Sequence, residues 1–289
     1  MLSNSSEPLC IDVRNENYSY ANKATSKLKK KFSKNKTDNK DEPEDFLWLD
    51  YLIEPSVLET FVDYCKKFLA NGTHDESVRR MSNEIVTGAD SIWRDMKSDA
   101  PDFDCRKGCS WCCHQSVSVT WPELLNILDY LRQNLEPSQV SALKKRSKRK
   151  ADEILEKSNN TSNGPFHKIP CLFLEEDICT IHASRPLQCR GGFSEEENYC
   201  KNLLEDTENT QKAVESGLLR GKFLITPKLI YNSAQVAMTY AMKDLGMEGS
   251  TYELNVAISI LITKLCDGEA DTVVENDLKP ALLTQNFKV

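Results

Sequence analysis

The sequence predicts a helix-dominated α+β fold: mainly α, with small irregular or β-hairpin segments around a cysteine-rich centre, and a disordered N-terminal tail. Three observations predict it. Apolar residues recur at helical spacing along most of the chain after Phe46. Eight of the eleven cysteines fall between Cys105 and Cys200, in two short stretches with little periodicity. Residues 1–45 are rich in Asn, Ser and Lys, with scattered apolar residues, a composition that cannot bury a core. The expected organisation is a tail over 1–45 and one helical domain over 46–289, with its cysteine core at about 105–200.

The elements follow in order. Val57, Phe61, Cys65, Phe68 and Leu69 share a helical face, and Asn71-Gly72 ends that helix as a C-cap. Val78, Met81, Ile85 and Trp93 mark a second helix from about Asp75 to Lys97, closed by Ala100-Pro101. Val117–Val119 reads as briefly extended. Thr120-Trp-Pro-Glu123 is a capping box that opens a helix carrying Leu124, Leu125, Ile127, Leu128 and Leu131. Pro137 to Ser158 reads as a charged, exposed helix with the basic run Lys144 to Lys150, a solvated face. The chain from Pro170 to Arg190 is irregular, with an acidic turn between Cys171 and Cys179 that suggests a hairpin. Helices are expected over about 194–216, 228–245 and 250–266. The last has a capping box, Ser250 to Glu253, and an apolar face of Ile258, Leu261, Ile262, Leu265 and Cys266.

Charge and hydropathy exclude several classes. The 289 residues carry 37 Lys+Arg against 44 Asp+Glu, net −7. Residues 1–40 have nine basic and four acidic side chains, and the remainder is acidic, so nucleic acid is not an expected partner. The longest apolar stretch, near Val256–Ile262, is far below the ~20 residues of a membrane span. Met1–Cys10 has no basic or apolar segment of a secretory signal, so a cytoplasmic, reducing setting is expected. There is no phosphate-binding glycine loop, no Gly-x-Ser-x-Gly and no His-Glu-x-x-His.

Cys65 and Cys266 sit on apolar helix faces and are expected in the core. The other eight carry the chemistry. Cys105, Cys109, Cys112 and Cys113 have offsets that span an arc of about 100° on a helix, although Gly108 makes a tight turn equally suitable. Cys171, Cys179, Cys189 and Cys200 follow. Disulfides are disfavoured by the expected compartment and by the adjacency of Cys112 and Cys113. Eight grouped thiols point to metal ligation, since soft thiolates suit zinc or an iron–sulfur cluster, the 4Fe–4S form included. The lack of paired Cys-x₂-Cys knuckles tilts the reading toward iron–sulfur. Cys200 is the weakest candidate, because Tyr199, Cys200, Leu203 and Leu204 also read as a helix stripe. Arg106, Lys107, Arg185 and Arg190 adjoin the cysteines; Arg185 and Arg190 are the candidates for holding the anionic cofactor.

These residues carry a resemblance. Cys105-x₃-Cys109-x₂-Cys112-Cys113, then Pro170-Cys171-Leu-Phe-Leu, Cys179-Thr-Ile-His182 and Arg185-Pro-Leu-Gln-Cys189-Arg190 resemble the YkgJ-like cysteine-cluster family. That family is described as zinc- or iron-chelating, and some members as flagellin lysine N-methylases. The resemblance implies metal binding over residues 105 to about 193. Two departures stand out: the first spacing is Cys-x₃-Cys, and His182 replaces the usual Tyr, with a packing role expected for it.

Two other functions compete. Cys105-x₃-Cys109-x₂-Cys112 also looks like the radical S-adenosylmethionine motif, which would make the chain an iron–sulfur enzyme of radical or methyl-transfer type. Cys113 and the lack of alternating strands and helices speak against it. A closed structural zinc module for protein contact is the third reading. At least four of the eight sulfurs, from both groups, are expected to converge on one centre. The sequence assigns no reaction.

Overall fold

Helix α1 (Pro55–Leu69) begins where the Glu54 side chain caps the Ser56 N–H, and Pro55 occupies the first turn. It buries Val57, Phe61, Cys65 and Leu69. The computed structural model describes residues 25–26, 53–70, 72–160, 168–266 and 275–282. The tail expected over 1–45 lies outside these residues, apart from Thr25 and Ser26. Among them the fold is helical, with two small two-stranded antiparallel sheets and no parallel sheet. The α/β barrel that a radical enzyme would need is therefore not formed by the described residues.

Helix α2 (Asp75–Met96) buries Val78, Met81, Ile85, Ala89 and Ile92 and runs into a 3₁₀ turn, Lys97–Asp99. Strand β1 (Ser118–Thr120) leads directly into α3 (Trp121–Asn134). The Thr120–Glu123 capping box forms as the sequence requires. Helix α4 spans Pro137–Asn160. After the cysteine-rich stretch come α5 (Leu187–Arg190), α6 (Glu197–Glu205), α7 (Thr207–Glu215) and α8 (Ile225–Asp244). Strand β4 (Thr251–Glu253) and α9 (Leu254–Cys266) follow.

Helix α8 is the central element. Ala234, Ala237, Met238 and Ala241 are fully buried, and the small side chains let α1 and α2 pack close against it. Ser233 accepts the Glu54 N–H (3.0 Å), which fixes the start of α1 on α8. Helices α4 and α9 form the second extensive helix pair.

Several sequence expectations are corrected. Helix α4 is charged and largely exposed, as expected, but it is not an excursion: Leu143, Ser147, Ala151 and Ile154 form a stripe buried against α9, while residues such as Lys145, Lys148, Arg149, Asp152 and Glu156 face solvent. The 194–216 segment is two helices, broken at Asp206. Ser250–Glu253 does not cap a helix. Thr251–Glu253 pairs with β1 instead, and the Glu253 carboxylate caps α9 by accepting the Val256 N–H (2.8 Å). Cys65 is fully buried as expected, whereas Cys266 is exposed at the end of α9. The Cys10 position lies outside the described residues.

One carboxylate ties these parts together. Glu123 is 3% exposed. It accepts the Thr120 N–H (2.9 Å) and hydroxyl (2.8 Å), the Leu187 N–H (2.8 Å) and the Gln235 side-chain amide (3.0 Å). It therefore joins α3, α5 and α8. Replacing Glu123→Ala strands four buried donors and is expected to cost about 3 kcal/mol or more, with Glu123→Gln costing about half of that. Urea unfolding of the reduced, metal-free chain checks this: the midpoint should fall with an unchanged slope.

Candidate metal centre

The first cysteine group is a turn, not a helix. Gly108 has φ +90°, a conformation that side chains disfavour, and lets the Cys109 N–H reach the Arg106 carbonyl (3.1 Å). A 3₁₀ helix, Trp111–His114, then presents Cys112 and Cys113. The turn is anchored from outside. The Asp104 N–H donates to the Ser194 carbonyl (3.0 Å), and the Ser194 N–H donates to the Cys105 sulfur (3.3 Å). Glu197 accepts the Trp111 indole N–H (3.1 Å) and the Arg106 guanidinium (2.6 Å), while its own N–H donates to Asp104 (2.9 Å).

The second group comes to the first by backbone. The Cys171 N–H donates to the Cys113 carbonyl (2.7 Å). The Leu172 N–H donates to buried Asn255 (2.7 Å), which is itself held by Glu253 (2.9 Å). Strands β2 (Leu174–Glu175) and β3 (Ile178–Cys179) form the expected hairpin, with Leu174 opposite Cys179. Its two-residue turn, Glu176-Asp177, has φ +47° and +61°, as a type I′ turn requires. Asp177 at its tip accepts the Ser110 hydroxyl (2.6 Å) and locks the hairpin to the first cysteine turn. Arg146 of α4 pairs with Glu175 (2.6 Å) on the same hairpin. Cys189 rides on the single-turn α5, whose first N–H is the one held by Glu123.

The two candidate arginines part company. Arg190 spends its guanidinium on structure: Nη1 pairs with Asp90 (2.8 Å), Nε donates to the Arg185 carbonyl (2.9 Å) and Nη2 to the Ala183 carbonyl (2.8 Å). Asp90 also accepts the Tyr231 hydroxyl (2.7 Å). Arg190 is thus a clamp on the 183–185 turn. Arg185 is what that clamp presents. Its Nε is buried with no acceptor, and its charge acts on Cys112, Cys179 and Cys189. His182 is exposed rather than packed, and Arg185 lowers its pKa. The His114 Nδ1–H donates to the Ser110 carbonyl (3.2 Å).

All ten described cysteines are free thiols. Burial raises the pKa of Cys105, Cys109, Cys179 and Cys189, and pushes Cys171 and Cys200 up to about 12. Cys112 differs. The residue as a whole is exposed, but its sulfur faces the Cys113 thiol. A hydrogen bond from Cys113 lowers Cys112 to about 7, with Arg185 and Lys228 adding to it. Cys113 keeps its proton, and its pKa is correspondingly raised.

Both cysteine groups therefore adjoin one another, as the sequence reading requires. The sharper expectation of four sulfurs gathered on one point is not met: among the described residues no three His, Cys, Asp or Glu side chains stand close enough together to hold an ion. Cys200 joins the group, since its sulfur lies beside Ser194 and in the field of Cys112, Cys105 and Cys109. The supports that sequence reading missed are Asp90, Asp104, Ser194, Glu197, Lys228, Tyr231 and Asn255. Of these only Asp104, next to Cys105, had a local signal. Glu123 was legible as a helix cap, but its bonds to Leu187 and Gln235 were not.

A helical scaffold thus brings two cysteine-bearing stretches side by side, with the buried Nε of Arg185 facing the field of Cys112, Cys179 and Cys189. Residues 104–211 match the CxxCxxCC family model, described as "Putative zinc- or iron-chelating domain". The matched span contains all eight cysteines and both arginines. No curated protein matches the chain, and no solved structure does. No described helix is long and apolar enough to cross a membrane.

The thiol chemistry gives a direct prediction. Alkylation proceeds through the thiolate, so in the metal-free, reduced chain Cys112 should react first among the eight. Its rate should rise at lower pH than that of the other seven, while Cys171 and Cys200 stay slow up to pH 9. Timed iodoacetamide labelling with peptide mass spectrometry reads this residue by residue.

Proposed function

We propose that this chain is a thiolate metal-centre protein whose ligands are Cys105, Cys109, Cys112, Cys113, Cys171, Cys179, Cys189 and Cys200, and that the group it holds is iron–sulfur. The observation that carries the reading is Arg185: a buried guanidinium nitrogen without an acceptor, set among thiols of both cysteine groups. Leaving such a donor unpaired costs about 1–3 kcal/mol or more. A thiolate-bound centre carries net negative charge, and its sulfurs accept hydrogen bonds, so the donor set fits the group. Arg190 and Asp90 then act through Arg185, by fixing the turn that presents it.

The cysteine spacing supports iron–sulfur over zinc, because the paired Cys-x₂-Cys knuckles of zinc ribbons are missing. Bound, such a centre supplies one-electron redox chemistry. The residues of this chain hold it, balance its charge and set how far water reaches it. The thiols are half-buried rather than sealed, apart from the exposed Cys112. A reducing, cytoplasmic setting keeps these cysteines available as ligands.

The test is elemental analysis and absorption of protein purified without oxygen. Iron with an equal amount of acid-labile sulfide, and a broad band near 400 nm, is the expected result; zinc with no visible band would replace iron–sulfur by a closed zinc site. Replacing Arg185→Met should weaken metal retention by about 10- to 100-fold, whereas Arg185→Lys should recover part of it. In the iron-loaded protein Arg185→Met should also shift the midpoint potential downward, since removing a nearby positive charge disfavours the reduced form.

A further inference from the structure

The eight thiols do not surround one point evenly. Cys171, Cys179 and Cys189 pack against the main apolar core. Cys200 rides on α6, whose Tyr199 and Leu203 belong to a separate small apolar cluster with Val214. Helix α6 lies against the 3₁₀ turn that carries Cys112. Glu197, one turn before Cys200, holds Trp111 and Arg106 on either side of Cys109. Ser194, just ahead of α6, donates to Cys105. Cys200 is thus delivered to Cys105, Cys109 and Cys112 by contacts of its own. Cys113 is joined instead to Cys171 through its carbonyl (2.7 Å).

Charge interactions group the thiols in the same way, except that Cys112 acts on both sets. After burial and the Ser194 hydrogen bond, Cys200 is affected by the thiols Cys112, Cys105 and Cys109. Cys113 is affected first by its neighbour Cys112 and then by Cys189 and Cys171, and Cys171 is affected by Cys179. None of Cys105, Cys109 and Cys200 has Cys171, Cys179 or Cys189 among its leading neighbours. Cys112 adjoins both sides.

We propose that the eight cysteines build two adjoining four-thiolate metal sites, parted at the Cys112–Cys113 peptide bond: an outer site of Cys105, Cys109, Cys112 and Cys200, and an inner site of Cys113, Cys171, Cys179 and Cys189. This rests on the metal-chelation reading above and holds for either metal, since four cysteines complete a zinc ion or an iron–sulfur cluster. Each set of thiols must draw together on binding, because among the described residues no three of them stand at ligating distance in the metal-free chain. Assigning one cysteine of a run to a second centre is an established mode of ligation in two-cluster ferredoxins. Here the neighbouring α-carbons are about 3.8 Å apart, so one peptide unit links the two centres. The first metal to bind orders the 3₁₀ turn and so sets the thiol of the other site. Cys200 becomes a ligand rather than part of a helix stripe, and Arg185 balances the inner site together with Cys112.

Metal per chain decides the matter, measured on full-length protein purified without oxygen, as wild type, Cys109→Ser/Cys200→Ser and Cys179→Ser/Cys189→Ser. Each double variant should retain about half of the wild-type metal. Unchanged metal in Cys109→Ser/Cys200→Ser overturns the proposal, because the outer thiols then bind nothing. Loss of nearly all metal from both double variants, with far-UV circular dichroism unchanged, also overturns it, because one centre then uses both sets. A cobalt(II) titration of the metal-free wild type is independent of folding defects in the variants. Two equivalents with thiolate-to-cobalt bands support two sites, and one equivalent overturns them. A wild-type chain that binds neither its own metal nor cobalt defeats the metal-chelation reading itself.

Discussion

Glu123 accepts four hydrogen bonds in the middle of the protein, and the segment that carries Cys189 hangs from it. A carboxylate is tolerated in such a place only when its oxygens are paired. The pairing has a structural consequence. It fixes the entry of α3, the first turn of α5 and a buried glutamine of α8 relative to one another. Cys189 lies two residues after Leu187, so its position is decided there. Irregular segments have few hydrogen bonds of their own, so their shape must come from side chains of the regular scaffold.

The same device recurs around the site. Asn255 at the start of α9 holds the Leu172 N–H. Glu197 of α6 holds Trp111 and Arg106. Asp90 of α2 holds Arg190, which in turn grips the 183–185 turn. Four helices thereby reach into the cysteine region with polar anchors, while apolar packing supplies the stability behind them. Eight thiols near one another are poor neighbours once ionised, since each charge raises the next pKa. Burial, with these charges adding to it, raises the pKa of most of them in the metal-free chain, and Cys112, favoured by Cys113 and Arg185, is the one that ionises most readily.

The arginines show how a motif and a structure can assign different roles to similar residues. Arg185 and Arg190 flank the same short segment and look equivalent as cofactor candidates. Arg190 meets an acceptor at each guanidinium nitrogen and becomes a strut. Arg185 keeps a buried donor free among the thiols. The difference lies in Asp90, a residue 100 positions from Arg190.

The sequence by itself determined the helical class, most helix boundaries, the Thr120–Glu123 cap, the 174–179 hairpin and the set of thiols. These depend on local periodicity, on caps that span three residues and on two-residue turns, all of which act between near neighbours. Tertiary structure alone decided the rest. It paired Ser118–Thr120 with Thr251–Glu253, which turned an apparent capping box into a strand. It buried one face of α4 against α9 although the sequence there is mostly charged. It left Cys266 exposed and carried Cys200 beside the first cysteine group, a placement that helical spacing could not give. The physical reason is common to all four: a residue's partner across the fold is set by how distant elements pack, and that information is not present within one turn of chain.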